Sequence, residues 1–242
     1  MLRDSDKETL RAQAREKLKL YYLTSEEWAK VILHERRLKL STIAELNDPF
    51  ELLGASIGEP AARKVLRYVQ GRVTDTFGLV CMSTTWQSPV MWAHYGDKHK
   101  GVCLGFEVIE QGLREVTYEP KRLNQLLGEN PRLGNVTAEV LNTLLTTKSA
   151  EWSYEKEHRL IVRFDNAVPG PNGMHFLPFN NELLTLKEVI LGSRCDWTLQ
   201  AAKRAVGKVP HQVSLKRVRP SFQDFKMVQQ RKEPIVYVKP KA

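Results

Sequence analysis

Apolar positions along the chain alternate between helical and extended spacing, and each change of spacing predicts an element. Ser5 followed by Glu8 forms a capping box, and Leu10, Ala14 and Leu18 recur at helical spacing, so a first helix is expected to run to about Lys19. Leu20 to Thr24 is short and aromatic, as suits a strand. Thr24 with Glu27 forms a second capping box and opens a helix over Ser25–Arg36, with Trp28, Val31, Ile32 and Glu35 marking its faces. A strand over Leu38–Thr42 leads to Asn47-Asp48-Pro49-Phe50-Glu51, whose Asn, Asp and Pro make a turn. The helix expected over Glu59–Gly71 sets Arg63, Lys64 and Arg67 against Ala62, Val65, Leu66 and Val69.

Strands follow at Gly78–Ser83, Gly101–Glu107 and Glu115–Tyr118, with a short helix between the first two that opens at Ser88-Pro89, runs through Tyr95 and stops at Gly96. The leucine-rich stretch Pro120–Ala150 is expected as a helical insert. Trp152–Phe164 is expected as a strand, followed by strands at Lys187–Leu191 and Gln212–Val218. The helix Asp196–Val206 lies between those two, capped by Asp196 and ended by Gly207. Strands run from start to finish with helices inserted irregularly, and neither repeat nor linker divides the chain. The expectation is one α+β domain over residues 1–242, with a segment after Pro220 that dangles.

Composition narrows the class. With 242 residues, 42% of them apolar, the chain can bury a real core, which excludes disorder. No apolar run approaches the roughly 20 residues of a membrane helix, and Met1 to Lys19 is charged where a signal peptide is apolar, so a cytoplasmic protein with no membrane partner is expected. Cys81, Cys103 and Cys195 are too scattered for a disulfide framework or zinc knuckle. The formal charge of +9 is unevenly placed: residues 197–242 carry eleven Lys or Arg against Asp224 and Glu233, whereas the preceding residues balance. A basic C-terminal segment of this kind meets a polyanion such as nucleic acid, or simply solubilises the chain.

Three segments are candidates for chemistry. On a strand, Glu155, Glu157 and Arg159 would share one face, with Lys156 and His158 on the other. Adjacent carboxylates push their pKa values apart, as a site does to separate a base from an electrostatic stabiliser, and an exposed row of ion pairs gives the same pattern. Tyr21-Tyr22-Leu23-Thr24 offers rings and a hydroxyl at a helix entrance, or core and cap. The block Cys81 to Gly96 gathers Ser83, Trp86, Trp92, His94 and Tyr95, which either wall a pocket for a flat ring or pack as core. Phosphate-loop, dinucleotide, zincin and nucleophile-elbow signatures do not occur, and no metal is expected.

Taken together, these blocks resemble the bacterial domain of unknown function 2971 family. The blocks are the aromatic strand, Leu40-Ser41, Asn47 to Glu51, Cys81-Met82-Ser83, Met91-Trp92-Ala93-His94-Tyr95-Gly96, Lys100 to Phe106, and Trp152-x-Tyr154-Glu155-x-Glu157-x-Arg159. Their order is also similar to that of ADP-ribosyltransferases, in which an early strand supplies His, Tyr or Arg, a middle strand Ser or an aromatic, and a late strand the catalytic Glu. That resemblance implies a split mixed or antiparallel sheet with peripheral helices, and NAD as substrate. Glu157 would be catalytic, with Glu155 orienting the acceptor. By that resemblance Tyr22 and Thr24 would hold the nicotinamide ribose or amide and Ser83 the second position; Asn47, Trp92, His94, Tyr95 and Arg159, from the other blocks, are further candidates for binding NAD and have no counterpart carried over from the transferases. The implied role is a toxin or phage-defence effector acting on nucleic acid or on a protein acceptor, with an antitoxin as a further partner. Two other functions fit the same residues: a metal-independent nuclease using His94 or His158 with Glu157 and Arg159, and a non-catalytic module that recognises a nucleic acid or nucleotide.

Overall fold

In the computed structural model, which describes residues 16–110 and 112–240, the elements run in chain order as follows. The first part holds β1 (Lys17–Thr24), α1 (Glu26–Glu35), β2 (Arg37–Leu40), α2 (Pro60–Thr76), β3 (Phe77–Ser83), α3 (Pro89–His94) and β4 (Val102–Ile109). The middle holds β5 (Leu113–Glu115), β6 (Thr117–Glu119), α4 (Ala138–Thr146), β7 (Thr147–Ser149) and β8 (Glu157–Arg163). The last part holds β9 (Val168–Pro169), β10 (His175–Pro178), β11 (Leu184–Leu191), α5 (Leu199–Val206), β12 (Val213–Pro220), β13 (Met227–Gln229) and β14 (Val236–Val238). The main sheet has the order β13-β12-β11-β4-β1-β3-β8-β5, with β14 also on β12, and it is mixed because β11 and β12 run parallel. This is a single α+β domain.

The sheet is nearly divided at its centre. Strand β1 pairs with β4 along its whole length, from Lys17↔Ile109 to Thr24↔Val102, yet it meets β3 only at Tyr21↔Ser83. Further along, the edge of β3 is met by Ser41, which exchanges backbone hydrogen bonds of 2.9 and 2.8 Å with Leu79. Alternate side chains of β4 (Val102, Leu104, Phe106 and Val108) enter the larger core together with Ala29 and Leu33 of α1 and Ala202 and Val206 of α5. A second core packs Ala62, Val65, Leu66, Val69 and Val73 of α2 against Leu79, Leu144 and Leu145.

Several expectations change on contact with tertiary structure. The helix expected up to Lys19 falls outside the described residues except at its end, where Lys17 to Lys19 belong to β1 and pair with β4. The cap of α1 is Ser25, whose Oγ accepts the Trp28 N–H, while Thr24 completes β1; Ala29, Ile32 and Leu33 form its buried face and Trp28 stands exposed. Helix α2 continues past Gly71 because Val73 prolongs its apolar stripe. In the expected insert only α4 and a 3₁₀ turn at Leu133–Asn135 are helical, since Pro120 and Pro131 and the positive φ of Gln125 and Gly128 interrupt the rest. Thr198, rather than Asp196, caps α5, and Gly207 at φ 61 ends it as expected. The segment after Pro220 does not dangle: it returns to β12 as β13 and β14 and buries Met227 and Val238.

One close approach supports the end of β1. A Cβ at Gly101 would lie 2.1 Å from the Thr24 carbonyl oxygen and 2.8 Å from that of Gly96, both backbone atoms that cannot rotate away. Gly101→Ala is therefore expected to lower the urea midpoint by the equivalent of about 2 kcal/mol or more, the scale of an overpacked site. An unchanged midpoint would show that the approach is looser than this.

Candidate active site

The strand expected over Trp152–Phe164 begins late. Residues Ala150–Glu155 form a 3₁₀ turn that closes at Lys156, a non-glycine residue in the left-handed region (φ 46), and β8 starts at Glu157. Glu155 and Glu157 are therefore neighbours through a turn and not through strand alternation. Both are buried, and both meet Lys148 of β7: its Nζ lies 2.5 Å from Glu155 Oε2 and 3.2 Å from Glu157 Oε2.

Arg159, two residues along β8, is fully buried and spends all five N–H groups. Its Nη atoms hold Glu51 in a fork of 2.7 and 2.9 Å, Nε and Nη2 hold Glu157 at 2.8 and 3.1 Å, and Nη1 also donates to the Leu145 carbonyl at 2.8 Å. Glu51 closes the ring from the Lys148 side at 3.8 Å. When all five groups are ionised, three carboxylates face two cations and the cluster carries net negative charge.

The two acidic groups of the Glu-x-Glu pair are pulled apart. Burial pushes Glu157 up, but the charge and hydrogen bonds of Arg159, followed by Lys148 and the Cys81 thiol, outweigh it and hold the carboxyl at about 2. Glu155 goes the other way: burial exceeds the help it receives from Lys148 and from Tyr95, whose hydroxyl donates to it, and its pKa is raised. The same Tyr95 hydroxyl accepts from Asn47 Nδ2 at 2.7 Å, so Asn47, Tyr95 and Glu155 form a hydrogen-bonded line. Tyr95 is itself raised by burial and then by Glu155.

A cavity of about 220 Å³ opens beside this cluster, in the gap between β1 and β3, with Tyr22, Asn47, Ser83, Tyr95, Glu155 and Glu157 on its wall. Burial, with Cys81 adding to it, lifts Tyr22 to about 12, so its hydroxyl stays neutral. Cross-strand register sets Tyr21 opposite Ser83 and Ser83 opposite Glu157, one row across β1, β3 and β8.

Four of the residues expected at the site lie elsewhere. Thr24 is buried at the end of β1, off the cavity wall. Trp92 is core, packed with Tyr21 and Cys103, its indole N–H given to the Trp86 carbonyl at 2.6 Å. His94 is exposed, with Nδ1 2.9 Å from the Tyr154 hydroxyl. Arg159 acts from behind the wall, and with no N–H left over it has nothing to offer a phosphate as a clamp. Glu51 and Lys148 escaped the sequence reading as site residues. Glu51 carried a signal in the Asn47–Glu51 block, whereas Lys148 sits in a three-residue strand too short to show any period.

The pairing of Glu157 has a pH consequence. Its folded value of about 2 lies below its ordinary 4.5, so its contribution to stability is complete above pH 4.5 and is lost as pH falls through 2. By linkage that contribution is roughly 3 kcal/mol. Glu155, raised in the fold, has the opposite sign and offsets part of it. The urea midpoint is expected to fall between pH 5 and pH 3 in the wild type and to fall less in Glu157→Gln. Equal slopes in the two proteins would show that Glu157 is not held by Arg159.

Among the described residues no helix is long and apolar enough to cross a membrane. No curated protein and no solved structure matches the chain. The stretch that holds the last four residues of α3 with Tyr95, Lys148, the Glu155–Glu157 pair and Arg159 does have a counterpart: residues 91–160 match the family described as "Protein of unknown function (DUF2971)", the family that the sequence blocks resemble.

Proposed function

We propose that the cleft between β1 and β3 transfers the ADP-ribosyl group of NAD to a nucleophilic acceptor. The observation that carries this reading is a buried cluster of three carboxylates and two cations that opens on one cavity together with Tyr22 and Ser83. The early, middle and late strands that the ADP-ribosyltransferase order calls on are β1, β3 and β8, which are neighbours in the sheet, with Tyr21, Ser83 and Glu157 in one row. A cavity of about 220 Å³ takes a ring and its ribose, less than the roughly 300–1,000 Å³ of a pocket for a drug-sized ligand. The nicotinamide riboside end is the part it suits.

In the reaction the ribose–nicotinamide C–N bond breaks and its electron pair leaves with nicotinamide. The sugar carbon gains oxocarbenium character, and the ionised Glu157, held in place by Arg159, stabilises that charge. Glu155, with its raised pKa and lone pairs left free beside Tyr95 and Lys148, takes the proton that the acceptor gives up as it bonds to the same carbon. Asn47 and Tyr95 hold the Glu155 carboxylate in place.

The test is nicotinamide release from NAD by the full chain, with and without added cell lysate or nucleic acid, followed by transfer of an adenylate label. Release and transfer are the expected result. No release, with no rise in melting temperature at saturating NAD, would overturn the proposal.

A further inference from the structure

The connection from β12 to β13 is a short, internally braced finger. Ser221 N–H donates to the Lys226 carbonyl at 2.9 Å, the Ser221 Oγ accepts from the N–H groups of Gln223 and Asp224, and Met227 anchors the base by donating to the Gln87 carbonyl at 2.8 Å. On it stand two aromatic side chains that pack into no core: Phe222 is 89% exposed and Phe225 is 103% exposed. The Arg219 guanidinium lies 4.0 Å from the Phe222 ring centre. A groove of about 400 Å³ runs between the finger and the segment around His99, with Pro89 and His99 on the far wall. Lys98, Lys100 and Arg194 flank His99 and are exposed, Arg194 through its N–H to the His99 carbonyl at 3.0 Å.

We propose that this finger and groove bind single-stranded nucleic acid, with bases stacked on Phe222 and Phe225 and phosphates against Arg219, Lys98, Lys100 and Arg194. The exposed Phe225 ring, and the Phe222 ring with the Arg219 guanidinium 4.0 Å from its centre, match a polymer that alternates flat bases with negative charge. Duplex bases are already stacked on one another and do not offer their faces. Gln223 and Asp224 occupy the tip between the rings, with the Asp224 carboxylate paired to Lys226 at 2.8 Å, and these polar groups count against burial of the finger in a lipid layer. The excess of basic residues that begins at Lys203 lies in the same C-terminal segment. Gln87, which receives the base of the finger, is four residues beyond Ser83, so a bound strand lies beside the segment that leaves the cleft.

This binding site does not depend on the reaction proposed for the cleft. The experiment is fluorescence anisotropy of labelled oligo-dT and oligo-rU of about 15 nucleotides, and of a duplex of equal length, titrated with the full chain. The single strands are expected to bind at least about tenfold more tightly than the duplex and to weaken steeply from about 50 to about 200 mM salt. Phe222→Ala and Phe225→Ala are each expected to weaken single-strand binding about fivefold or more, the lower end for a lost base stack, with little change in melting temperature because neither ring enters a core. Absence of binding, or wild-type affinity in the double variant, would overturn the proposal. So would binding to phosphatidylserine vesicles that the double variant loses while its oligonucleotide affinity stands.

Discussion

Arg159→Leu is expected to lower the unfolding free energy by about 3–5 kcal/mol, the cost of breaking a buried ion pair on one side, a large part of the roughly 5–15 kcal/mol by which folded domains are stable. The side chain is completely buried and serves both Glu51 and Glu157, so its loss strands two carboxylates in the interior without their principal partner. Lys148 cannot replace it, because it already lies against Glu155 and reaches Glu51 only at 3.8 Å. Arg159→Lys is expected to fail almost as badly, since an ammonium cannot make the two forks at once. Adding Glu51→Leu to Arg159→Leu removes one stranded charge and should recover part of the stability. Urea melts of the three variants decide the matter. A loss below about 1 kcal/mol for Arg159→Leu would mean that the cluster is hydrated and contributes no more than a surface pair.

Glu157→Gln is expected to reduce nicotinamide release about 10²–10³-fold, the usual cost of removing one preorganised charge-stabilising group. The amide keeps the shape but not the charge that the proposed reaction calls on. Glu155→Gln is expected to act through the proton instead: the wild-type rate rises with pH as Glu155 ionises, and the variant loses that rise while retaining NAD binding. The raised pKa of Glu155 beside the depressed pKa of Glu157 is what separates the two profiles. Melting temperatures of both variants must accompany the rates, because Glu157 also holds Arg159. Rates within about twofold of the wild type in both variants would remove the carboxylates from the mechanism.

The elements with strong periods were legible in the sequence. The apolar stripe of α2 is the one its spacing gives, Ser88 does cap α3, and β3, β4 and β11 fall on their apolar runs. Failures cluster where a local signal competes with pairing or with a turn. Ser25 displaced Thr24 as a cap because β1 keeps Thr24 paired with Val102. The Glu155–Arg159 strand looked continuous because a left-handed lysine leaves no mark in the pattern of polar and apolar residues. At the site, Glu155, Glu157, Tyr22, Ser83, Asn47 and Tyr95 could be named from their blocks. Lys148 could not, since the contact that gives it meaning lies seven and nine residues away across a turn.

The single meeting point of β1 with β3 has a mechanical meaning. Neighbouring strands of the sheet are otherwise spaced by ladders of amide bonds, but here β1 touches β3 at one residue pair, and the far end of the opening is held by the two backbone bonds between Ser41 and Leu79. A guest molecule that enters the opening therefore meets side chains and two exposed strand edges between these two fixed points, and need break no long hydrogen-bonded ladder to sit there.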